Sequence, residues 1–286
     1  MSLSVEAGET ARAAKPVVEI AASSGWRAVD LRELWRYREL MGILVWRDIK
    51  VRYRQTFLGI GWVIAQPLLT MGIFTLLFNR VARIQPDANV PYSIFIMAAL
   101  VPWTFFASGA ANSGNSLIGN AHLISKVYFP RMIIPAASVL AGAIDMLVTC
   151  GALAVMMVVA RVAVSWIVLI LPLVVVVAAL FTLGIGLWLS AMNVEYRDVR
   201  VVVPFLLQLW LYATPVAYPL SVLPAWARPI ALANPMTAVV ETFRSALFGR
   251  PINWWNFAYA CAVTAAVLIS GAFYFRRSER RFADIL

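Results

Sequence analysis

The sequence predicts an all-α integral membrane protein: six transmembrane helices, an N-terminal amphipathic interfacial helix, and a re-entrant helical pair before the last span. Of its 286 residues, 62% are hydrophobic and only 13% are charged, whereas a soluble domain is about half apolar and about a quarter charged. The apolar residues also fall into runs that approach the roughly 20 residues of a helical span. Lys and Arg concentrate in a few segments between and outside these runs, as cytoplasmic flanks do.

The first 57 residues are predicted to lie at the cytoplasmic surface. Residues 1–25 lack the apolar stretch of a signal peptide, so we expect a disordered tail. Residues 26–57 place apolar and basic side chains on different faces at 100° per residue, which indicates an amphipathic helix in the headgroup layer. A solvated helix of a small domain is the alternative, and the combination of Trp with Arg favours the interface. The residues singled out in this helix are Trp35, Arg47, Asp48, Lys50, Arg52 and Arg54.

The six spans are predicted within residues 58–275. They cover about 58–78, 92–111, 133–160, 166–192, 201–218 and 255–275. Residues 220–254 are too broken by proline for one span and too apolar for an ordinary loop, so we expect a re-entrant pair of short helices. Within that pair, Pro235 opens a helix over 236–248 that ends at Gly249. Residues 276–286 are predicted to form a cytoplasmic tail.

The distribution of Lys and Arg predicts the orientation. Eighteen of the 24 basic residues lie before residue 58, in 112–135, in 193–200 or after 275, and six lie in the other connections. The positive-inside rule therefore places both termini and the loop 112–132 in the cytoplasm. The net charge of +10 is attributed to these flanks rather than to nucleic-acid binding.

The polar stretch 112–135 separates two very apolar segments and holds the only histidine, His122. We interpret it as a surface that a partner contacts. His122 is a pH sensor or ligand in one interpretation and a contact or solvated histidine in the other, which is the more common case.

Several kinds of chemistry are missing from the sequence. There is no G-x-x-x-x-G-K-[ST] motif and none of the three lysines follows a glycine, so this chain has no P-loop for ATP. There is no H-E-x-x-H motif, and a single histidine cannot build a zinc site of that type. Cys150 and Cys261 both lie in apolar runs and are interpreted as packing residues. The chain is therefore not predicted to be an enzyme, to bind a metal or to hold a cofactor.

Asp145 is the one acidic residue deep in a predicted span. A charge at that depth is costly, which makes a proton relay or ion site one interpretation. The other is a carboxylate that fastens the helices together, neutral or paired with a hydroxyl such as Thr149. The lack of a second ionisable residue in the spans favours the second interpretation.

Aromatic residues are frequent and offer flat faces that suit the apolar C–H faces of sugar rings. Packing in the core or at the membrane interfaces is the alternative for each of them. The candidates for lining a passage are Trp62, Phe74, Trp103, Phe105, Trp210 and Tyr212.

Four motifs stand in order along the chain: RDIKVRYRQTFLGIGWVIAQPL at 47–68, KVYFPRMIIP at 126–135, YRDV at 196–199 and NPMTAVVETFRSALFG at 234–249. Together they resemble the membrane subunit of type-2 ABC exporters of bacterial cell-surface polysaccharides, the O-antigen, capsule and teichoic-acid permeases. The resemblance spans about residues 31–286. Thr56 stands where this family often has Ser.

The resemblance implies a homodimeric permease in the bacterial inner membrane that works with two copies of a separate ATP-hydrolysing subunit. That subunit would hold ATP and Mg. A lipid-linked polysaccharide would enter from the cytoplasmic leaflet and pass between the two protomers.

The same resemblance assigns two further sets of residues. Within the loop 112–132, residues 115–129 would hold the coupling helix that docks on the ATPase. The residues themselves agree with this, because Leu123, Val127 and Phe129 could enter its groove while Lys126 and Arg131 meet acids at the rim. The docking set is Asn115, Asn120, His122, Leu123, Lys126, Val127, Phe129 and Arg131. Residues 220–254 would form an outer gate, with Asn234, Pro235, Glu241 and Arg244.

Other functions remain open from the residues alone. A stand-alone secondary transporter or channel would give flux without an ATPase, and a lipid-handling enzyme would change the chemistry of its substrate. A membrane scaffold and an ABC exporter of another lipid or of a drug are further alternatives.

Overall fold

The computed structural model describes residues 35–54, 59–86, 90–126, 129–196 and 198–285. These ranges are helical with short connections and contain no strand, which confirms the all-α prediction. The predicted tail at 1–25, the first part of the interfacial helix at 26–34, and Val127 lie outside the described residues.

The described residues form ten α-helices joined by short segments. A π-helical segment, Thr75–Val81, extends α2, a 3₁₀ segment, Trp166–Ile170, precedes α6, and a 3₁₀ turn lies at Leu220–Val222. The helices are α1 (Arg38–Arg54), α2 (Ile60–Phe74), α3 (Tyr92–Gly119), α4 (Ala121–Lys126), α5 (Ile133–Val159), α6 (Leu171–Glu195), α7 (Val199–Ala213), α8 (Arg228–Ala233), α9 (Pro235–Phe248) and α10 (Trp254–Ile285).

Helix α3 is the centre of the bundle. In its most apolar stretch 78% of the residues are buried, against 11–33% in the other four long apolar helices. It packs mainly on α5 and α6, and also on α2, α7 and α9. The other long helices therefore expose apolar faces that only lipid or another protein can cover.

Five helical stretches are long and apolar enough to cross a membrane: Gly61–Val81, Tyr92–Gly119, Ile133–Val159, Trp166–Glu195 and Trp254–Glu279. The chain is thus a multi-pass membrane protein. The fifth predicted span is shorter than expected, because α7 has 15 residues and spans only about 22 Å of the roughly 30 Å of hydrocarbon. The irregular segment 214–219 follows it. The predicted helix after Pro235 is found as α9, and Gly249 ends it in the left-handed conformation with φ of +67°.

Two segments predicted to lie outside helices are helical. Residues 112–119 continue α3, because polar side chains there bond to carbonyls of the same helix: Asn115 Nδ2 donates to Ala111 O at 2.9 Å and Ser116 Oγ to Ser113 O at 2.6 Å. Residues 276–285 continue α10. Phe282 is fully buried and its ring lies 5.4 Å from that of Phe275, so the segment predicted as a tail continues the last helix and packs against the rest of the protein.

Three segments that the sequence predicts to be cytoplasmic meet at one end of the bundle. We call this end the basic end. Leu44 of α1, Leu117 of α3, Phe129 after α4, and Phe282 of α10 belong to one buried cluster. We call the opposite end the gate end; it comprises residues 214–227, α8 and α9.

Helices α6 and α10 approach each other at two glycines. A Cβ atom on Gly271 would lie 2.6 Å from the carbonyl oxygen of Gly184, and a Cβ atom on Gly184 would lie 2.9 Å from the backbone of Leu268. Small residues at such a crossing let two membrane helices pack backbone to backbone.

Candidate functional site

A cavity of about 470 Å³ lies between α1, α2, α3 and α5. Its volume is within the range of about 300–1,000 Å³ that is typical of small-molecule sites. The lining combines aromatic rings with hydroxyl and amide groups and one ion pair, so it offers both flat apolar faces and hydrogen bonds. The lining includes Tyr53, Trp62, Trp103 and Phe105, then Gln66, Thr70, Thr104, Ser108, Asn112 and Thr149, and finally Arg52 and Asp145.

The structure brings together three of the six aromatic residues predicted to line a passage. Trp62, Trp103 and Phe105 line the cavity. The other three lie outside the cavity. Phe74 is buried in the main core, and Trp210 packs against Phe106 and Phe181. Tyr212 is exposed on α7.

An ion pair stands in the wall of the cavity. Arg52 Nη1 donates to Asp145 Oδ2, and the Tyr53 hydroxyl donates to Asp145 Oδ1. Burial, with a smaller effect from Asp145, raises the pKa of Tyr53 to about 12, so this hydroxyl keeps its proton at neutral pH. The Thr149 hydroxyl instead donates to the backbone oxygen of Asp145 at 2.7 Å. Thr149, the example given for a hydroxyl partner, therefore does not pair with the carboxylate. The hydroxyl partner, Tyr53, and the cationic partner, Arg52, both come from the interfacial helix.

Helix α1 packs along α5. Asp48 accepts a 3.4 Å hydrogen bond from Ser138 Oγ, and four residues further along α1 Arg52 reaches Asp145. These contacts advance in the same direction on both helices, with the buried Leu44 nearer the basic end. One side of α1 therefore packs on the bundle, and its other side faces outward.

The outward side of α1 carries the remaining interfacial residues. Trp35 is 71% exposed, with the Arg38 guanidinium 5.4 Å from its ring centroid. Lys50 and Arg54 are exposed, and Arg47 pairs with Asp48 at 2.8 Å. Exposed tryptophan beside basic residues suits the membrane interface.

Part of the predicted docking segment is built into the protein itself. Phe129 is 4% exposed and lies in the buried cluster of the basic end, so its predicted insertion into a partner's groove is wrong. Arg131 Nη1 donates to the backbone oxygen of Glu279 at 2.8 Å. Asn115 Oδ1 accepts from Asn193 Nδ2 at 2.9 Å, which ties α3 to α6.

The other docking residues lie on or beside the short helix α4. His122 and Lys126 are exposed, and Leu123 is partly buried against the cluster of the basic end. Asn120 ends α3, and its Nδ2 donates to Ser116 O at 2.8 Å. Ile118 is 38% exposed beside this helix. Sequence reasoning missed Ile118, although an isoleucine next to Gly119 in a polar stretch was the available signal.

The gate end is organised around Arg244, which is 1% exposed. Its guanidinium donates to the backbone oxygens of Phe95, Pro215 and Val216 at 2.7–3.1 Å, and to Glu241 Oε1 at 3.0 Å. It also lies 3.6 Å from the Phe95 ring centroid. Since irregular backbone at membrane depth must have its carbonyls satisfied by protein, Arg244 stabilises the segment that follows α7.

Asn234 performs a similar task at the start of α9. Its Oδ1 accepts from the backbone N–H of Met236 at 3.0 Å and from Trp210 Nε1 at 3.1 Å, while its Nδ2 donates to Thr214 Oγ1 at 2.9 Å. Pro235 occupies the first position of the helix, where the missing N–H costs nothing. The four predicted gate residues therefore lie in one region, joined to the end of α7.

Comparison with known proteins identifies the family. Residues 39–248 match the family model described as ABC-2 type transporter. The chain belongs to this family. It is 33% identical over 254 residues to the O-antigen export system permease protein RfbA of Myxococcus xanthus, covering 87% of this chain and 96% of the relative.

Two other relatives extend the comparison. The RfbA permease of Klebsiella pneumoniae is 31% identical over 251 residues, covering 87% of this chain and 95% of that protein. The polysialic acid transport protein KpsM of Escherichia coli is 26% identical over 243 residues, covering 82% and 91%.

Proposed function

We propose that this chain is the membrane permease subunit of an ATP-driven exporter that moves a lipid-linked, O-antigen-like polysaccharide across the bacterial inner membrane from the cytoplasmic side. The observation that carries the proposal is the lateral cavity of about 470 Å³, found inside the region that matches the ABC-2 family. Its aromatic faces and hydroxyl groups match the two kinds of surface on a sugar chain. The relatives named for O-antigen export support the same cargo.

The driving force is proposed to come from two copies of a separate subunit that binds ATP and Mg. The sequence of this chain has no P-loop, and the ABC-2 family works with an ATP-binding partner. The exposed residues around α4 support a docking surface for that partner at the basic end. With the positive-inside rule, this end and both termini are cytoplasmic.

A second copy of the chain is proposed to complete the passage. Helix α7 exposes Val201, Phe205, Leu209 and Tyr212, each at least half accessible. Helix α2 and its π-helical extension likewise expose Trp62, Leu69, Ile73 and Leu76, each more than half accessible. Two apolar faces of this kind on a membrane protein suit a homodimer in which the substrate passes between protomers.

The proposal is tested by deleting the gene and complementing it together with its ATPase. Surface polysaccharide, measured by antibody binding to intact cells, should disappear on deletion and return with the wild-type chain. Trp62→Ala should reduce export several-fold, because it removes an aromatic face of the cavity. Trp166→Ala is the matched control, since Trp166 is 81% exposed and lies outside the cavity. Undiminished surface polysaccharide after deletion would refute the proposal.

A further inference from the structure

A second, smaller pocket lies at the gate end. It measures about 160 Å³ and is enclosed by α9, the 3₁₀ turn at Leu220, and the start of α10. This is below the roughly 300 Å³ at which drug-sized sites begin, so it would accept one small unit. Most of its lining side chains are polar, in contrast to the apolar helices around it: Thr237, Glu241, Thr242, Ser245, Arg250, Asn253 and Asn256.

One buried hydroxyl in this pocket lacks a partner. Thr237 is fully buried, and its Oγ1 has no hydrogen-bond partner among the described residues. A helical threonine ordinarily donates to the carbonyl four residues back. Here that carbonyl belongs to Ala233, which precedes the helix and accepts from the Tyr259 hydroxyl at 3.2 Å. A buried hydroxyl left unpaired costs free energy, and a ligand in the pocket would recover it once the Thr237 side chain rotates its hydroxyl towards the ligand.

The charges of the pocket select the ligand. Glu241 and Arg250 contribute one charge of each sign, and Glu241 Oε1 already accepts from Arg244. A metal ion would face a guanidinium, and the described residues contain no group of three acidic, histidine or cysteine ligands. Three hydroxyl groups and two amides instead offer both donors and acceptors, which match the hydroxyl rim of a neutral sugar.

We propose that this pocket binds a single neutral sugar unit of the exported glycan at the gate end. This inference rests on the proposed export function, because the exported glycan supplies the sugar. The carboxylate of Glu241 links the pocket to Arg244, and Arg244 holds the carbonyls of Pro215 and Val216. Only the Glu241 side chain therefore separates a sugar in the pocket from Arg244, which stabilises the segment after α7.

The test uses full-length permease in lipid nanodiscs, without its ATPase, and saturation-transfer NMR. The probes are the methyl glycosides of glucose, galactose, mannose and rhamnose. At least one should bind the wild type, and Thr237→Val should weaken its binding about 3- to 10-fold, the range expected for the loss of one neutral hydrogen bond. Thr264→Val is the matched control, because Thr264 also has a buried hydroxyl without a partner among the described residues and lies outside the pocket.

The melting temperature of each variant separates binding from folding. Without probe, both valine variants should melt no lower than the wild type, since each loses an unpaired buried hydroxyl. Equal affinity of the wild type and Thr237→Val for the probe, or no binding of any probe, would overturn the pocket assignment. Those results would leave the export proposal intact, because surface polysaccharide is measured separately.

Discussion

At the scale of single residues, Asp145 shows how one carboxylate joins two parts of the protein. It lies on a membrane-spanning helix, yet its partners Arg52 and Tyr53 come from α1, 93 and 92 residues away. Side-chain exposures of 28% for Arg52 and 19% for Asp145 make this a partly buried pair. A partly buried pair with two donors fits a fastening role for Asp145.

Replacing Arg52 with Gln, or Asp145 with Asn, should each lower the free energy of unfolding by about 1–3 kcal/mol, because a hydrogen bond to a charged group contributes up to that amount and solvent screens part of it. The double variant Arg52→Gln with Asp145→Asn should lose less than the sum of the two single losses. Thermal unfolding of the four proteins in detergent gives the coupling energy from a double-mutant cycle. Strictly additive losses would contradict the ion pair.

The cost of a charge inside the membrane allowed the sequence to single out Asp145 as functional or structural. The sequence did not show which residues Asp145 contacts. Its partner Arg52 belongs to a helix predicted to lie outside the spans, so the sequence of the spans alone does not reveal it. Phe129 shows the opposite limit. Its apolar character was recognised, but nothing local distinguishes a ring that enters a partner from one that packs in a buried cluster of the same chain.

At the scale of helices, the crossing of α6 and α10 is a close backbone contact with a clear prediction. Gly271→Ala should destabilise the protein by about 1–3 kcal/mol, because the new methyl group would overlap the Gly184 carbonyl. Gly151→Ala on α5 is the control, since no atom lies within 4 Å of its added Cβ. Alanine there should be neutral or stabilise by up to about 1 kcal/mol. The measurement is the midpoint of unfolding, and equal midpoints for the two variants would contradict the crossing.

The short helix α4 offers a second test at this scale. Ile118→Asp with Lys126→Glu should reduce co-purification of the ATPase at least several-fold, because these exposed side chains are available to a groove and its acidic rim. Phe129→Asp should instead lower the yield of folded permease, since it buries a charge. Unchanged ATPase recovery with the first variant would exclude α4 and its flank as the docking surface.

At the scale of the whole molecule, the two ends of the bundle are distinct. Cysteine labelling with a membrane-impermeant maleimide tests which end faces the cytoplasm. In a background with Cys150 and Cys261 replaced by Ala, Trp226→Cys should label in intact cells, because Trp226 is 74% exposed at the gate end. Lys126→Cys should label only after the cells are opened. The reverse pattern would invert the proposed orientation.

Composition and charge were sufficient to predict the fold class, because lipid imposes helices of known length and polarity. The starts and ends of helices were harder to predict. Residues 112–119 were expected to form a loop, since Asn and Ser usually end helices, but their side chains bond back to the helix itself. Contacts between distant segments, such as Arg244 with residues 215–216, cannot be predicted from local residue spacing.

The burial of Phe282 affects how this protein should be handled in the laboratory. A fluorescent or affinity fusion placed after Leu286 starts five positions after a ring that belongs to the same buried cluster as Leu44 and Phe129. A bulky fusion at that position would strain the same cluster that supports α4. Reporters for expression and purification are therefore better placed away from this cluster.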